Sequence, residues 1–231
     1  MKICGLNKTT LLDYPGKVAA TLFLDGCNFR CPFCQNSALV LHPAREPEIS
    51  RDTLLAFLAK RRRILEGICI SGGEPTLHRE LPELLETIRS YGYAIKLDTN
   101  GSRPHVIRSL HQSGLIDMVA MDIKSSPENY GKLSGLRYPD LPAIEASADY
   151  LMHSGIRYEF RTTVVQELHR PEDFRSIGKW LSGAEAYFLQ AYQDSPSVIS
   201  PGFSSYSYEE LSGFASILSE TISRVEIRGI D

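Results

Sequence analysis

The 231-residue sequence predicts an α/β fold, a partial and open (β/α)6 barrel of TIM type with a short N-terminal extension. Three observations predict it. Short apolar runs alternate with helix-patterned stretches, as in parallel strands joined by right-handed crossovers. The alternation gives about six such units, whereas a closed eight-unit barrel takes roughly 250 residues. Finally, Cys27, Gly72, Asp98, Asp122, Arg161 and Gln190 all fall at or near the C-terminal end of an expected strand. That rim is where βα-barrels build their sites.

The first element is Val18–Leu24, apolar with β-branched and aromatic members, which reads as a strand. Ser50 is placed to cap a helix running to Arg63. Gly67–Ser71 is a compact buried strand, Leu81–Tyr91 a helix with proline in its first turn, and Tyr93–Asp98 the next strand. Arg103–Ser113 (helix), Asp117–Ile123 (strand), Leu141–Ser154 (helix) and Ile156–Val165 (strand) continue the rhythm. Pro171–Leu181 is a helix opened by proline, Ala186–Gln190 a strand, Tyr208–Ser223 the last helix and Val225–Arg228 a terminal strand. Gln193–Ser207, rich in Ser, Pro and Gly, reads as a long loop. The expectation is one domain: residues 1–17 an extension, 18–223 the barrel, 224–231 a closing strand and tail.

Composition narrows the function. The chain is 42% hydrophobic with a net charge of −3, which suits one sizeable core. The one basic run, Lys60–Arg63, ends a helix, where cations complement the dipole; no wider basic stripe accompanies it, so no nucleic-acid partner is expected. No apolar stretch approaches the ~20 residues of a membrane span. The first residues lack the apolar core of a signal peptide, so the expected location is cytoplasmic. Five cysteines, three of them clustered, do not form a disulfide framework.

Those three are Cys27, Cys31 and Cys34, in Gly26-Cys-Asn-Phe-Arg-Cys-Pro-Phe-Cys-Gln-Asn36. A C-x3-C-x2-C loop can hold three corners of a cubic iron–sulfur cluster. Full ligation of a [4Fe–4S] cluster takes four cysteines, so three leave one iron open, as catalytic metal sites do. The spacing also admits zinc, with His42 as fourth ligand, and a non-catalytic zinc-binding module is the reading from a different class. Plain buried cysteines are the third alternative, but burial does not explain clustering at ligand spacing. Cys4 and Cys69 read as structural. His78, His105, His111, His153 and His169 read as loop or helix-surface residues, and Trp180 as a packing residue.

The cysteine loop, with Phe33 between its second and third cysteines, is followed about forty residues on by Ser71-Gly72-Gly73-Glu74-Pro75. In this order the two motifs resemble the radical S-adenosylmethionine enzymes. The opening Gly5-Leu-Asn-Lys-Thr-Thr-Leu-Leu-Asp-Tyr-Pro-Gly16 and the runs Lys96–Gly101, Met121–Lys124 and Phe160–Val165 extend the likeness over nearly the whole chain. They resemble in particular the activating proteins of glycyl-radical enzymes, those of anaerobic ribonucleoside-triphosphate reductase above all.

The resemblance implies that Cys27, Cys31 and Cys34 ligate a [4Fe–4S] cluster. The open iron would be chelated by S-adenosylmethionine, whose reductive cleavage yields a hydrogen-abstracting 5′-deoxyadenosyl radical. Phe33 would pack near the adenine or simply anchor the loop. Gly72, Gly73 and Glu74 would receive the cofactor's ammonium; a tight βα turn is the plainer reading. Asp98, Thr99 and Asp122 would hold a monovalent cation, with Lys124 on the cofactor; an Lys124–aspartate salt bridge is the alternative. Arg161 would clamp a carboxylate. Gln190 is a candidate on the last strands, where related activases carry histidine and this chain reads Gln190-Ala-Tyr-Gln193. The implied partners are a glycyl-radical enzyme, the anaerobic ribonucleotide reductase, and flavodoxin or ferredoxin as electron donor. A second reading keeps the cofactors but takes a small molecule, as in 7-carboxy-7-deazaguanine synthase.

Overall fold

The computed structural model describes residues 1–230. Among them are eight strands: β1 (Ile3–Thr10), β2 (Ala19–Leu24), β3 (Gly67–Gly72), β4 (Ala94–Thr99), β5 (Met118–Asp122), β6 (Arg157–Val164), β7 (Ala186–Ala191) and β8 (Arg224–Arg228). The α-helices are α1 (Ser37–Leu41), α2 (Arg51–Arg61), α3 (Leu81–Ser90), α4 (Pro104–Gln112), α5 (Tyr130–Ser134), α6 (Leu141–His153), α7 (Pro171–Trp180) and α8 (Tyr208–Ser219). The strands form one open sheet in chain order, β1 to β8. β1 runs antiparallel to β2, while β2–β3, β3–β4, β6–β7 and β7–β8 are parallel. The open, mostly parallel α/β fold expected from the alternation is the fold the chain adopts.

Local chemistry sets the element ends. Ser50 caps α2 by accepting from the Thr53 N–H at 3.2 Å, and Asp140 caps α6 through the Ala143 N–H. Ser207 and Glu210 form a reciprocal capping box at α8. The N-terminal extension holds a strand that the sequence pattern does not announce. β1 is an irregular edge strand: only Ile3, Cys4 and Thr10 are buried, and its register slips twice against β2. The period-2 pattern that marks a half-buried strand is therefore missing.

The chain parts into two compact units. The first comprises residues 1–28, 38–99 and 103–119, the second 29–37, 100–102 and 120–230. In the first, Leu22, Leu24, Ile68, Ile70, Ile95 and Leu97 are fully buried, as continuous apolar strands covered by helices require. Tyr14, 1% exposed, clusters with Ala19 and Met118, which open β2 and β5. Its ring lies over Gly67, where a Cβ would come within 2.8 Å. This plugs the strand beginnings and leaves the polar residues at the strand ends. In the second unit Phe160, Tyr187 and Leu189 are buried, and Phe174 of α7 stacks on Phe214 of α8 with centroids 4.5 Å apart.

The turn after β3 meets the approach to the cysteine loop backbone to backbone. The Gly73 N–H donates to Leu24 O at 2.9 Å and the Glu74 N–H to Gly26 O at 2.8 Å. Gly72 has φ +114°, a conformation reserved for glycine. At Gly73 a Cβ would stand 1.8 Å from the Gly26 carbonyl oxygen. Both atoms of that clash are constrained by backbone hydrogen bonds, so neither can yield cheaply. Gly73→Ala should cost at least about 2 kcal/mol of unfolding free energy in denaturant melts. Gly213→Ala, inside α8 with nothing within 4 Å of its Cβ, should instead gain about 0.5–1 kcal/mol. Equal effects at the two positions would contradict the contact.

Candidate active site

In the first unit, Cys27 follows Gly26, which is held by Gly26 N–H to Leu39 O at 2.9 Å. The Gly72–Gly73 turn lies behind it. Glu74 is 0% exposed; its Oε1 accepts from the Thr76 N–H at 3.1 Å, the Thr76 hydroxyl and the Thr99 hydroxyl at 2.8 Å. Glu74 thus orders Thr99 at the end of β4. One pleat repeat back on β4, Lys96 is 1% exposed and its ammonium sits 2.7 Å from Asp98 Oδ1. A buried ammonium is tolerable only with such a partner. Lys96 was not among the expected site residues. Its position two residues before Asp98, on the same face of the strand, is the signal that could have found it.

In the second unit, Cys31 and Cys34 are joined by a tight turn, with the Cys34 N–H donating to Cys31 O at 3.0 Å. The loop 193–207 straps this segment. The Ile199 N–H donates to Cys34 O at 3.1 Å and the Ser200 N–H to Pro32 O at 2.8 Å, and the Gln35 amide donates to Gln193 O. Phe33 is 5% exposed and meets His169 edge-on at 6.2 Å. The three cysteines, like Cys4 and Cys69, lie outside any disulfide.

Asp122, Lys124 and Arg161 are brought together. Lys124 Nζ lies 3.1 Å from Asp122 Oδ2, and Arg161 donates to Asp122 Oδ1 through Nη2 at 2.9 Å and Nε at 3.0 Å. The salt bridge weighed for Lys124 is thus present. Burial would raise the Asp122 pKa, but the Arg161 and Lys124 charges outweigh it and hold the carboxyl at about 2. Burial likewise opposes the charged Lys124, yet Asp122 and then Cys31 pull its pKa up. Gln190 is half-buried on β7, in register with Thr163 and Arg228. Among the described residues no group of three or more His, Cys, Asp or Glu converges as a metal cage.

His169 is the correction. Its sequence context suggests a surface position, but it is 0% exposed, bonded to the backbone of Lys124 and Val165. It sits in an irregular stretch before Pro171, where no periodicity reports burial. Trp180 packs edge-on against Tyr130 at 6.3 Å, as expected of a packing residue. Also unforeseen is a buried hydroxyl pair, Thr162 Oγ1 with Tyr187 Oη at 2.5 Å.

The Asp122 group carries a pH signature. A carboxylate whose folded pKa lies at about 2, below its ordinary 3.8, stabilises the fold above about pH 4. That contribution disappears as pH falls through 2. Wild type should exceed Asp122→Asn in unfolding free energy at pH 5, and the gap should shrink steadily toward pH 2. A gap independent of pH would contradict the ion triad.

A sequence profile described as the Radical SAM superfamily matches residues 21–181. A Methanocaldococcus jannaschii protein named as a candidate glycyl-radical enzyme activating enzyme is 32% identical over 199 residues, 83% of this chain and 80% of that protein. A 7-carboxy-7-deazaguanine synthase of Aquifex aeolicus is 40% identical over 81 residues, 34% of each chain. Among solved structures, a domain of the pyruvate-formate lyase-activating enzyme of Bacteroides vulgatus superposes with TM-score 0.58 at 18% identity, over 71% of this chain and 99% of that domain. Streptococcus suis SuiB bound to S-adenosylmethionine gives TM-score 0.67 at 14% identity, over 90% of this chain and 52% of SuiB. At such identities the two structures speak for the fold alone, but the profile spans more than half of the chain. The chain belongs to the radical SAM superfamily.

Proposed function

We propose that this protein is an activase that generates a glycyl radical on a partner enzyme, and that the partner is an anaerobic ribonucleotide reductase. The observation that carries the activase reading is the similarity to the Methanocaldococcus protein over 80% of its length. The partner rests on the likeness of the opening segment, residues 5–16, to activators of that reductase.

The donor chemistry fits the cofactors. Cys27, Cys31 and Cys34 are thiols outside any disulfide, and three ligands leave a [4Fe–4S] cluster one open iron. When bound, the cluster and S-adenosylmethionine would supply one-electron cleavage and hydrogen abstraction. The protein's share is binding and orientation. Gly72 and Gly73 admit backbone approach, and Glu74 fixes Thr99. Asp122 faces two cations at once. Lys124 and Arg161 would draw a ligand carboxylate toward this end of the strands. A monovalent cation held by Asp98, Thr99 and Asp122 beside that carboxylate is part of the same proposal. Phe33 would line the adenine side, and Gln190 the substrate side. Flavodoxin or ferredoxin would deliver the electron, in a reducing cytoplasm. Among the described residues no helix is long and apolar enough to cross a membrane.

A second reading rests on the 81-residue likeness to 7-carboxy-7-deazaguanine synthase: the same cofactors acting on a small molecule. One experiment separates the two. Reconstituted anaerobically and reduced with dithionite, the protein should cleave S-adenosylmethionine to 5′-deoxyadenosine, and Cys31→Ala should abolish this. Mixed with the reductase, it should produce a doublet glycyl-radical signal in electron paramagnetic resonance. Cleavage with no radical on any glycyl-radical enzyme would overturn the activase reading and favour the small molecule. Zinc in place of iron would overturn both.

A further inference from the structure

We infer that His169 is a positioning residue that locks the Phe33 end of the cysteine loop to the strand ends carrying Lys124 and Val165, so that the cofactor seat in this unit is formed before the cofactor arrives. The inference rests on the radical S-adenosylmethionine reading and extends it to a residue outside the expected set.

His169 is fully buried, and both ring nitrogens are engaged. The Val165 N–H donates to Nδ1 at 3.1 Å. Because Nδ1 accepts, the ring proton belongs on Nε2, which donates to the Lys124 carbonyl at 3.0 Å. Lys124 lies just beyond β5, and Val165 is the first residue past β6. Past the two strands, one imidazole thus satisfies a backbone carbonyl and a backbone N–H at once. The ring also meets Phe33 edge-on at 6.2 Å and stacks on Phe174 of α7 at 5.9 Å. From the other side, the Tyr206 hydroxyl at the end of the 193–207 strap donates to the His169 carbonyl at 2.8 Å. His169 thus touches the cysteine loop, both strand ends, α7 and the strap.

A residue that only fills the core would be replaceable by an aromatic of similar size. A positioning residue would not, because phenylalanine keeps the stacking and loses both hydrogen bonds. By analogy with the outer-shell partners of metal ligands, whose removal typically costs about 10- to 100-fold in metal affinity or activity, the loss of His169 should be felt at the site. The test compares wild type with His169→Phe, His169→Gln and His169→Asn after anaerobic reconstitution. The measurements are iron content, thermal midpoint, the dissociation constant for S-adenosylmethionine and the change it induces in the reduced cluster's paramagnetic spectrum.

His169→Phe should load iron like wild type yet bind S-adenosylmethionine about tenfold or more weakly. His169→Gln, whose amide reaches the Lys124 carbonyl, should recover part of that loss. Affinity within twofold of wild type in a folded His169→Phe overturns the inference and leaves the cofactor reading intact. If the Phe variant does not fold, the amide pair decides. Gln should bind more tightly than Asn at matched thermal midpoints, and equal affinities overturn the inference. A wild-type chain that loads no iron overturns the cofactor reading and this inference with it.

Discussion

The site depends on one close approach. Gly73 lies against the carbonyl of Gly26, so near that a methyl group would stand 1.8 Å from its oxygen. Two backbone hydrogen bonds, to Leu24 O and Gly26 O, clamp the turn after β3 onto the residues that launch the cysteine loop. The two motifs that mark this superfamily in the sequence are thus, on this side, one backbone contact. Two glycines are needed because one supplies a positive φ and the other supplies room. The clamp sets its neighbours in turn: Cys27 is directed by Gly26, and Glu74, turned inward, collects Thr76 and Thr99.

Electrostatics provides the second constraint. Each carboxylate at a strand end meets a cation, Asp98 with Lys96 and Asp122 with Lys124 and Arg161. Ion pairs this sheltered are weak sources of stability, since desolvation offsets much of the attraction, but removing one partner strands the other. Their value is geometric. They fix ammonium and guanidinium groups in place at strand ends. The Asp122 triad sets one carboxylate between two cations.

Much of this was legible in the sequence, and the parts that were not have physical reasons. Most strands and helices from Ala19 onward announced themselves through apolar runs, proline at helix starts and the Ser50 cap, because each of those signals is local; the five-residue helices α1 and α5 are too short to show a period. β1 was invisible because an edge strand with a slipping register carries no alternation. The residues expected to carry chemistry stood out where a reactive type sat at a fixed spacing: three cysteines on one loop, and the aspartates near the ends of β4 and β5. His169 and the Thr162–Tyr187 pair did not, because Lys124, Phe33 and Tyr187 lie far along the chain from their partners, and the nearer contact to Val165 falls in an irregular stretch with no periodicity. Glu74 was expected to meet the cofactor's ammonium, whereas its partners within the chain, Thr76 and Thr99, emerge only from the fold.

The central claim is that three cysteines hold a cluster whose fourth iron is open to S-adenosylmethionine. The most direct measurement is the paramagnetic spectrum of the reduced, reconstituted protein, recorded with and without S-adenosylmethionine carrying isotopic label in its amino and carboxylate groups. The account predicts a [4Fe–4S] signal that shifts on addition and shows hyperfine coupling to the label. A cluster signal indifferent to S-adenosylmethionine, with no coupling, would contradict it.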